Sequence, residues 1–208
     1  MPCNFYRALF FKETNVMNKN LRKLTVCAVF AAISTVLMFL KLPLPFLPPY
    51  LTLDFGDLPA LIGAFSLGPV WGVLICLVKN LICLIETTTG GVGELANFLN
   101  GVSFVFVAGI IYKYHKTKKG AVIGAFAGTI AMCIVGFFVN LYITYPFYFS
   151  IMSKDAVIGM YTMLCPWANT LIKGLLVFNL PFSFARGILL SVITMLVYKR
   201  LSPIIKGK

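Results

Sequence analysis

Residues 67–85 run LGPVWGVLICLVKNLICLI. A stretch of this length and apolarity is enough to cross the hydrocarbon of a bilayer, which takes about 20 mostly apolar residues. Its one charged residue is Lys79, with Asn80 beside it. An ammonium at membrane depth costs roughly 2.5–3.5 kcal/mol on insertion scales and more in simulations. Such a group faces the protein interior, where it pairs with something or binds something. The stretch therefore predicts an integral membrane bundle with a polar interior.

The rest of the chain agrees. Of its 208 residues, 60% are hydrophobic and 12% charged, and the mean hydropathy is +0.92. A soluble chain carries about 25% charged residues. The length fits one domain: residues 20–206 are read as a single membrane domain. Residues 1–19 are read as a tail, either an amphipathic surface segment or a misassigned start upstream of Met17.

The net charge of +12 invites a nucleic-acid reading, but its distribution argues against one. Thirteen of the 18 basic residues fall in three clusters. Arg7, Lys12, Lys19, Arg22 and Lys23 precede the first span; Lys113, Lys116, Lys118 and Lys119 lie mid-chain; Lys199, Arg200, Lys206 and Lys208 close it. Basic residues flanking spans on one side mark the cytoplasmic face. Nucleic acid is not expected as a partner; membrane lipid is.

The spans are predicted at about 21–41, 58–67, 70–86, 94–113, 119–145 and 174–200. Six crossings place both termini on one side, and all three basic clusters land there. The second is short for a full crossing. Between the first two lies LPLPFLPPYLTLDFGDLPA, whose five prolines from Pro43 to Pro59 exclude a helix across it. An apolar, aromatic loop of this kind suits a lid over a cavity. Helix five is expected to end near Pro146, and 147–170 reads as a wetter connecting stretch.

Polar residues at membrane depth carry the functional signal. These are Lys79 and Asn80; Glu94, Asn97 and Asn100, the first two on one helical face at i,i+3; Asn140; and Ser183 with Arg186, again i,i+3. Several amides and one or two cations suit a neutral polyol or a heteroaromatic ligand. The other reading is interhelical polar glue. The run TTTGGVGELANFLNG at 87–101 presents amides near a helix start, which favours a polar or anionic group, or is a plain helix-entry turn with Glu94 in its first turn. Asp54 and Asp57 read as caps at the entry to helix two, with an acid–base pair as the alternative. Ala28 and Ala32 make a small-xxx-small pair that lets another helix approach closely.

Chemistry finds little support. The six cysteines form no CxxC, and the single histidine, His115, lies in a basic loop, so neither a metal site nor a Ser-His-Asp set is expected. With no P-loop, the chain does not hydrolyse nucleotide by itself. A small membrane enzyme or assembly factor using Lys79, Glu86 and Glu94 is the rival from another class.

LDFGDLPALIGAFSLGPVWGVLICLVKNL, TGGVGELANFLNG and GLLVFNLPFSFARGILLSVITMLVYKRLSPIIK together resemble the riboflavin-specific substrate-binding subunits, or S-components, of energy-coupling factor (ECF) vitamin transporters, over about 20–206. The resemblance implies an all-α, six-helix S-component fold in the cell membrane with both termini cytoplasmic. It implies capture of riboflavin from outside as transported ligand, not cofactor. It also implies docking on a coupling membrane protein and two ATPase subunits. Ala28 and Ala32 fall on the family's docking motif. The first outer loop covers the vitamin, with Thr52 at a ligand-contacting position. Asp54, Lys79, Glu94 and Asn97 join the expected binding set. Asn140 matches the family's helix-five asparagine, while Ser183 and Arg186 stand where its Asn-x-x-Lys pair stands. That departure leaves a phosphorylated flavin or another vitamin open as the ligand.

Overall fold

The computed structural model describes residues 3–40, 42–43, 51–87 and 89–206. The lid expected at 42–57 thus falls partly on residues 44–50, outside the described set. The first helix, α1, is Cys3–Phe39, so the tail at 3–19 continues the helix. A two-residue ladder follows: β1 (Leu42–Pro43) pairs antiparallel with β2 (Thr52–Leu53), Leu42 opposite Leu53 and Pro43 opposite Thr52. Then come α2 (Asp57–Leu67), α3 (Pro69–Cys83), with a 3₁₀ turn at Leu84–Glu86, α4 (Val92–Tyr114) and α5 (Lys118–Val139). A π-helical turn, Asn140–Thr144, leads without a break into α6 (Tyr145–Ile151). Next are α7 (Lys154–Leu164), α8 (Leu171–Gly174), a second π-helical turn at Leu175–Asn179, and α9 (Leu180–Lys206).

Among the described residues, five helical stretches are long and apolar enough to cross a membrane: Asn20–Phe39, Pro69–Glu86, Val92–Tyr114, Lys118–Ile151 and Leu171–Tyr198. With the short apolar α2 they make the six helices expected from sequence. Two boundaries differ. The fifth span does not stop near Pro146 but runs to Ile151, and 154–164 is helical. Proline lacks an N–H and crowds the carbonyl four residues back. Here the helix answers by widening to a π turn just before the proline instead of ending. Pro181 sits in the same relation to the second π turn, two residues beyond Asn179.

Gly68 turns α2 into α3 with φ +119°, a region that favours glycine. Its N–H caps the Ala64 carbonyl at 3.1 Å, and Pro69 opens α3 where no N–H is needed. The helices then pack closely. A methyl group on Gly72 would come within 2.5 Å of Val105 and 2.7 Å of Ala64; one on Gly128 would come within 2.5 Å of the Phe104 carbonyl. In lipid, tails are as apolar as leucine, so helices associate by such close packing and by polar contacts, not by escape from water. The main core joins α1 to α5 and α9 around Leu61, Ile75, Phe104, Val105 and Met132. A smaller one, around Tyr145, Val157, Tyr161, Ala168 and Leu175, joins α6, α7 and the second π turn. Phe126, Ile130, Ile134 and Phe138, four residues apart along α5, are exposed, as residues facing lipid would be.

Candidate functional site

Lys79 is fully buried in α3 and hydrogen-bonds through Nζ to Oδ1 of Asp57, itself fully buried in the first turn of α2. Oδ2 of Asp57 accepts from Nη2 of Arg186 on α9 at 2.7 Å. The same Nη2 lies 3.1 Å from Oδ2 of Asp54, just beyond β2. Asp54 also accepts from the Gly56 N–H at 3.0 Å. Two carboxylates and two cations therefore meet between α2, α3, α9 and the end of the β1–β2 ladder, and their formal charges cancel. Desolvating each ion costs several kcal/mol, offset only by good geometry and hydrogen bonding. Here every ion has an opposite partner.

The neighbouring backbone is cut to fit. A methyl group on Gly101 of α4 would sit 2.7 Å from Asp57 Oδ1 and 3.5 Å from Cys76 Sγ; one on Gly56 would meet Met38 and the Ser34 carbonyl of α1 at 3.0 and 3.1 Å. So α1 and α4 wall the cluster without adding charge. The expectation that Asp54 and Asp57 cap and solvate the entry to α2 is corrected by this geometry. Asp57 is fully buried and makes ion pairs, because an aspartate at a helix start looks the same locally whether it meets water or two cations. The sequence does not single out Asp57 as the centre of a buried ion-pair cluster.

Several amides near this cluster carry oxygens with no hydrogen-bond partner. Asn97 of α4 donates to Met38 Sδ at 3.5 Å and leaves its Oδ1 unpartnered. The Oδ1 of Asn100 lies against Gly136 of α5 and is likewise unpartnered, as are Oδ1 of Asn80, Oγ of Ser34 and Nε of Arg186. A buried polar group left unpaired costs about 1–3 kcal/mol. Asn140 opens the first π turn, and its Nδ2 donates to the Gly136 carbonyl at 2.8 Å. Ser183 is half-buried one turn before Arg186, and Thr52 is half-buried opposite Pro43.

The loop before α4 is occupied with itself. Oε2 of Glu94 accepts from Thr87 at 2.7 Å and Thr89 at 3.1 Å. The N–H groups of Gly91 and Gly93 donate to the hydroxyls of Thr87 and Thr89, each at 3.0 Å. Of the two readings of this run, the geometry is that of a helix-entry turn. Those amides are engaged and offer nothing to an anion.

A neutral cluster occupies the end of the bundle beyond the first π turn. The hydroxyls of Tyr145 and Tyr161 hydrogen-bond each other, Tyr161 donates to Asn179 Oδ1 at 2.9 Å, and Asn179 Nδ2 lies 3.4 Å from the Tyr145 hydroxyl. On α1, Ala28 and Ala32 are both exposed, with Val36 exposed one further turn along.

Fold and site together define a polytopic membrane protein whose spans enclose charged and amide side chains. Comparison with known proteins places it more closely: the chain belongs to the family described as ECF transporter, substrate-specific component, whose model matches residues 22–198. It is 39% identical over 190 residues to the riboflavin transporter RibU of Staphylococcus aureus (strain TCH60), covering 91% of this chain and 95% of that one. It is 31% identical to the riboflavin transporter FmnP of Bacillus subtilis (strain 168), covering 88% and 93%. A solved structure, the S component of a bacterial ECF transporter, superposes with a TM-score of 0.71 at 37% identity, over 90% of this chain and 99% of that one. The family is one of transporter components and not of enzymes, and the all-α, six-helix membrane fold read from sequence is its fold.

Proposed function

We propose that this chain is the substrate-binding subunit that captures riboflavin from outside the cell and delivers it through an ATP-driven module. The observation that carries the reading is 39% identity to a named riboflavin transporter across nearly the full length of both chains. The site supports it chemically. The unpartnered oxygens of Asn97 and Asn100 want donors, which a flavin brings as ribityl hydroxyls and an imide N–H. The free Nε of Arg186 wants an acceptor, which the isoalloxazine carbonyls supply. Thr52, Asp54, Lys79, Glu94, Asn97, Asn140, Ser183 and Arg186 form the proposed binding set. Asp54 and Lys79 hold Arg186 and α2 in place, and Glu94 stiffens the entry to α4. Residues 20–206 act as one binding unit in the cell membrane, with both termini cytoplasmic by the distribution of basic residues.

The partners we propose are a coupling membrane protein and two ATPase subunits. The exposed Ala28 and Ala32 offer a flat helix face on which the coupling protein packs. Replacing Ala28 by Trp should leave riboflavin binding intact and abolish uptake in cells; persisting uptake would move the docking face elsewhere. Among the described residues, Lys79, Glu86 and Glu94 of the enzyme alternative do not come together in one constellation. Lys79 is held by Asp57, Glu94 by two threonines, and Glu86 is exposed. Titration calorimetry of the purified chain against riboflavin, its phosphorylated form and other B vitamins tests the reading. Riboflavin should bind most tightly and the preparation should carry yellow ligand. A colourless protein giving no heat with riboflavin would overturn it.

A further inference from the structure

Two cavities open side by side at the end of the bundle where α2 turns into α3, and Trp71 lines both. One, of about 320 Å³, lies between the Gly68–Pro69 turn and the end of α4, where Ser66, Tyr112, Lys113 and Lys116 line it. The other, of about 430 Å³, is lined by Trp71 with Asn20, Leu21 and Leu24 of α1. The hydroxyls of the first cavity are spent on the protein. Ser66 donates to the Ile62 carbonyl at 2.8 Å. Tyr198 donates to the Phe65 carbonyl at 3.3 Å, which leaves the Tyr112 proton for the Tyr198 oxygen, also at 3.3 Å. The two lysines are not spent. Both are exposed, and neither makes an ion pair among the described residues. Asp57 opens α2, Glu86 closes the 3₁₀ turn after α3 and Glu94 lies in the first turn of α4, so the carboxylates of these helices sit at their opposite ends. The second cavity is apolar on its α1 side, where Leu21 and Leu24 are exposed.

We propose that the paired cavities bind one anionic phospholipid, its phosphate met by Lys113 and Lys116 and an acyl chain laid past Trp71 onto Leu21 and Leu24. A free phosphate would use the cations and leave the apolar neighbour empty; a lipid without net charge would do the reverse. Uncompensated cations beside an apolar groove fit an amphiphile with a negative head. Basic pockets between spans on the cytoplasmic side take such headgroups, and the orientation proposed above puts this end there. A tryptophan between the two cavities suits the same depth, because its amphipathic ring settles at headgroup level. The site shares no residue with the set proposed to hold the flavin, so it does not depend on that reading; only its assignment to the cytoplasmic leaflet rests on the orientation.

The test uses the full chain in a neutral detergent and native mass spectrometry, which reads the Kd of the first lipid bound. The probes are phosphatidylglycerol and phosphatidylcholine with the same palmitoyl and oleoyl chains, and glycerol 3-phosphate as a headgroup without chains. Phosphatidylglycerol should bind more tightly than phosphatidylcholine, and glycerol 3-phosphate should not bind. Lys113→Gln with Lys116→Gln should weaken phosphatidylglycerol by about twenty-fivefold, about fivefold for each cation near an anionic headgroup, and leave phosphatidylcholine nearly unmoved. Lys118→Gln with Lys119→Gln removes the same charge from exposed residues of the same loop that do not line the cavity, and should weaken phosphatidylglycerol far less. Helical circular dichroism of each variant should match that of the parent, since all four lysines are exposed. Equal loss in the two double variants overturns the proposal, because the lysines would then act as general surface charge. So does parental phosphatidylglycerol affinity in the Lys113 and Lys116 variant; if uptake in cells falls in that variant all the same, the cavity belongs to the coupling protein. Glycerol 3-phosphate binding as tightly as the lipid overturns it too, in favour of a soluble anion. Failure of the unaltered chain to bind riboflavin strikes the flavin reading alone and leaves these lipid affinities readable.

Discussion

Among the described residues, two buried polar clusters join helices of this bundle, and they work by different physics. The one around Asp57 is ionic and gathers α2, α3 and α9 near the middle of the fold. The one around Tyr161 is neutral and gathers α6, α7 and the second π turn at one end. The contrast teaches where a membrane bundle keeps its large energies. An ion stripped of its partner in low dielectric bears its full desolvation cost, whereas a neutral hydroxyl that loses its partner costs only about 1–3 kcal/mol. The ionic cluster is therefore the element whose loss the fold tolerates least.

The sharpest way to break the comparison is Asp57→Ala. It leaves Lys79 fully buried and removes the nearer carboxylate from Arg186. Removal of one partner from a buried pair destabilises by about 3–5 kcal/mol, read as a fall in thermal midpoint of the purified protein. Replacing Asp57 and Lys79 together by Leu and Met should recover most of that loss, because buried pairs are often matched by apolar residues of similar volume. A single variant as stable as the parent would show that the cluster is not closed as described.

Gly101→Ala probes the same cluster through its wall. The new methyl group would stand 2.7 Å from Asp57 Oδ1, and that oxygen cannot retreat because Lys79 holds it. Overpacking of this kind costs typically 1–3 kcal/mol, so a destabilisation of about 2 kcal/mol is expected. Alanine is the better helix former at an unconstrained position. A stabilised Gly101→Ala would mean that α4 does not press on the cluster.

How far the sequence reveals each cluster follows from the same physics. Lys79 stands out because a lone ammonium in an apolar run has no local excuse. Arg186 stands out for the same reason. Their partner Asp57 does not, since a carboxylate in a first helical turn is ordinary and its cations lie 22 and 129 residues away. The five long spans are legible from apolar length; the short α2 is marked instead by the proline-rich stretch before it and Gly68-Pro69 after it. The π turns are not legible: Pro146 signals a helix end, yet the chain continues past it by widening into the π turn at Asn140–Thr144. The neutral cluster is the least visible. Tyr145 and Tyr161 look like aromatic residues of a membrane interface, and Asn179 looks like one more asparagine among apolar neighbours. Nothing local says that their polar atoms meet.

The smallest expected effect falls on that neutral cluster. Tyr161→Phe keeps the ring, against which Gly174 packs so closely that a methyl group there would come within 2.7 Å. It removes only the hydroxyl, which meets Tyr145 and donates to Asn179. Asn179 Oδ1 loses the donor that satisfies it, while Asn179 Nδ2 keeps the Tyr145 hydroxyl at 3.4 Å. The expected loss is about 1 kcal/mol, a small drop in thermal midpoint. Riboflavin affinity should barely move, because Tyr145 and Asn179, which the hydroxyl meets, are not among the residues proposed to hold the ligand. A loss as large as that of Asp57→Ala would erase the distinction between the clusters. An affinity loss of tenfold or more with little change in stability would sharpen it differently: the tyrosine–asparagine hub would then be positioning the π turns, and through the first of them Asn140, for the ligand.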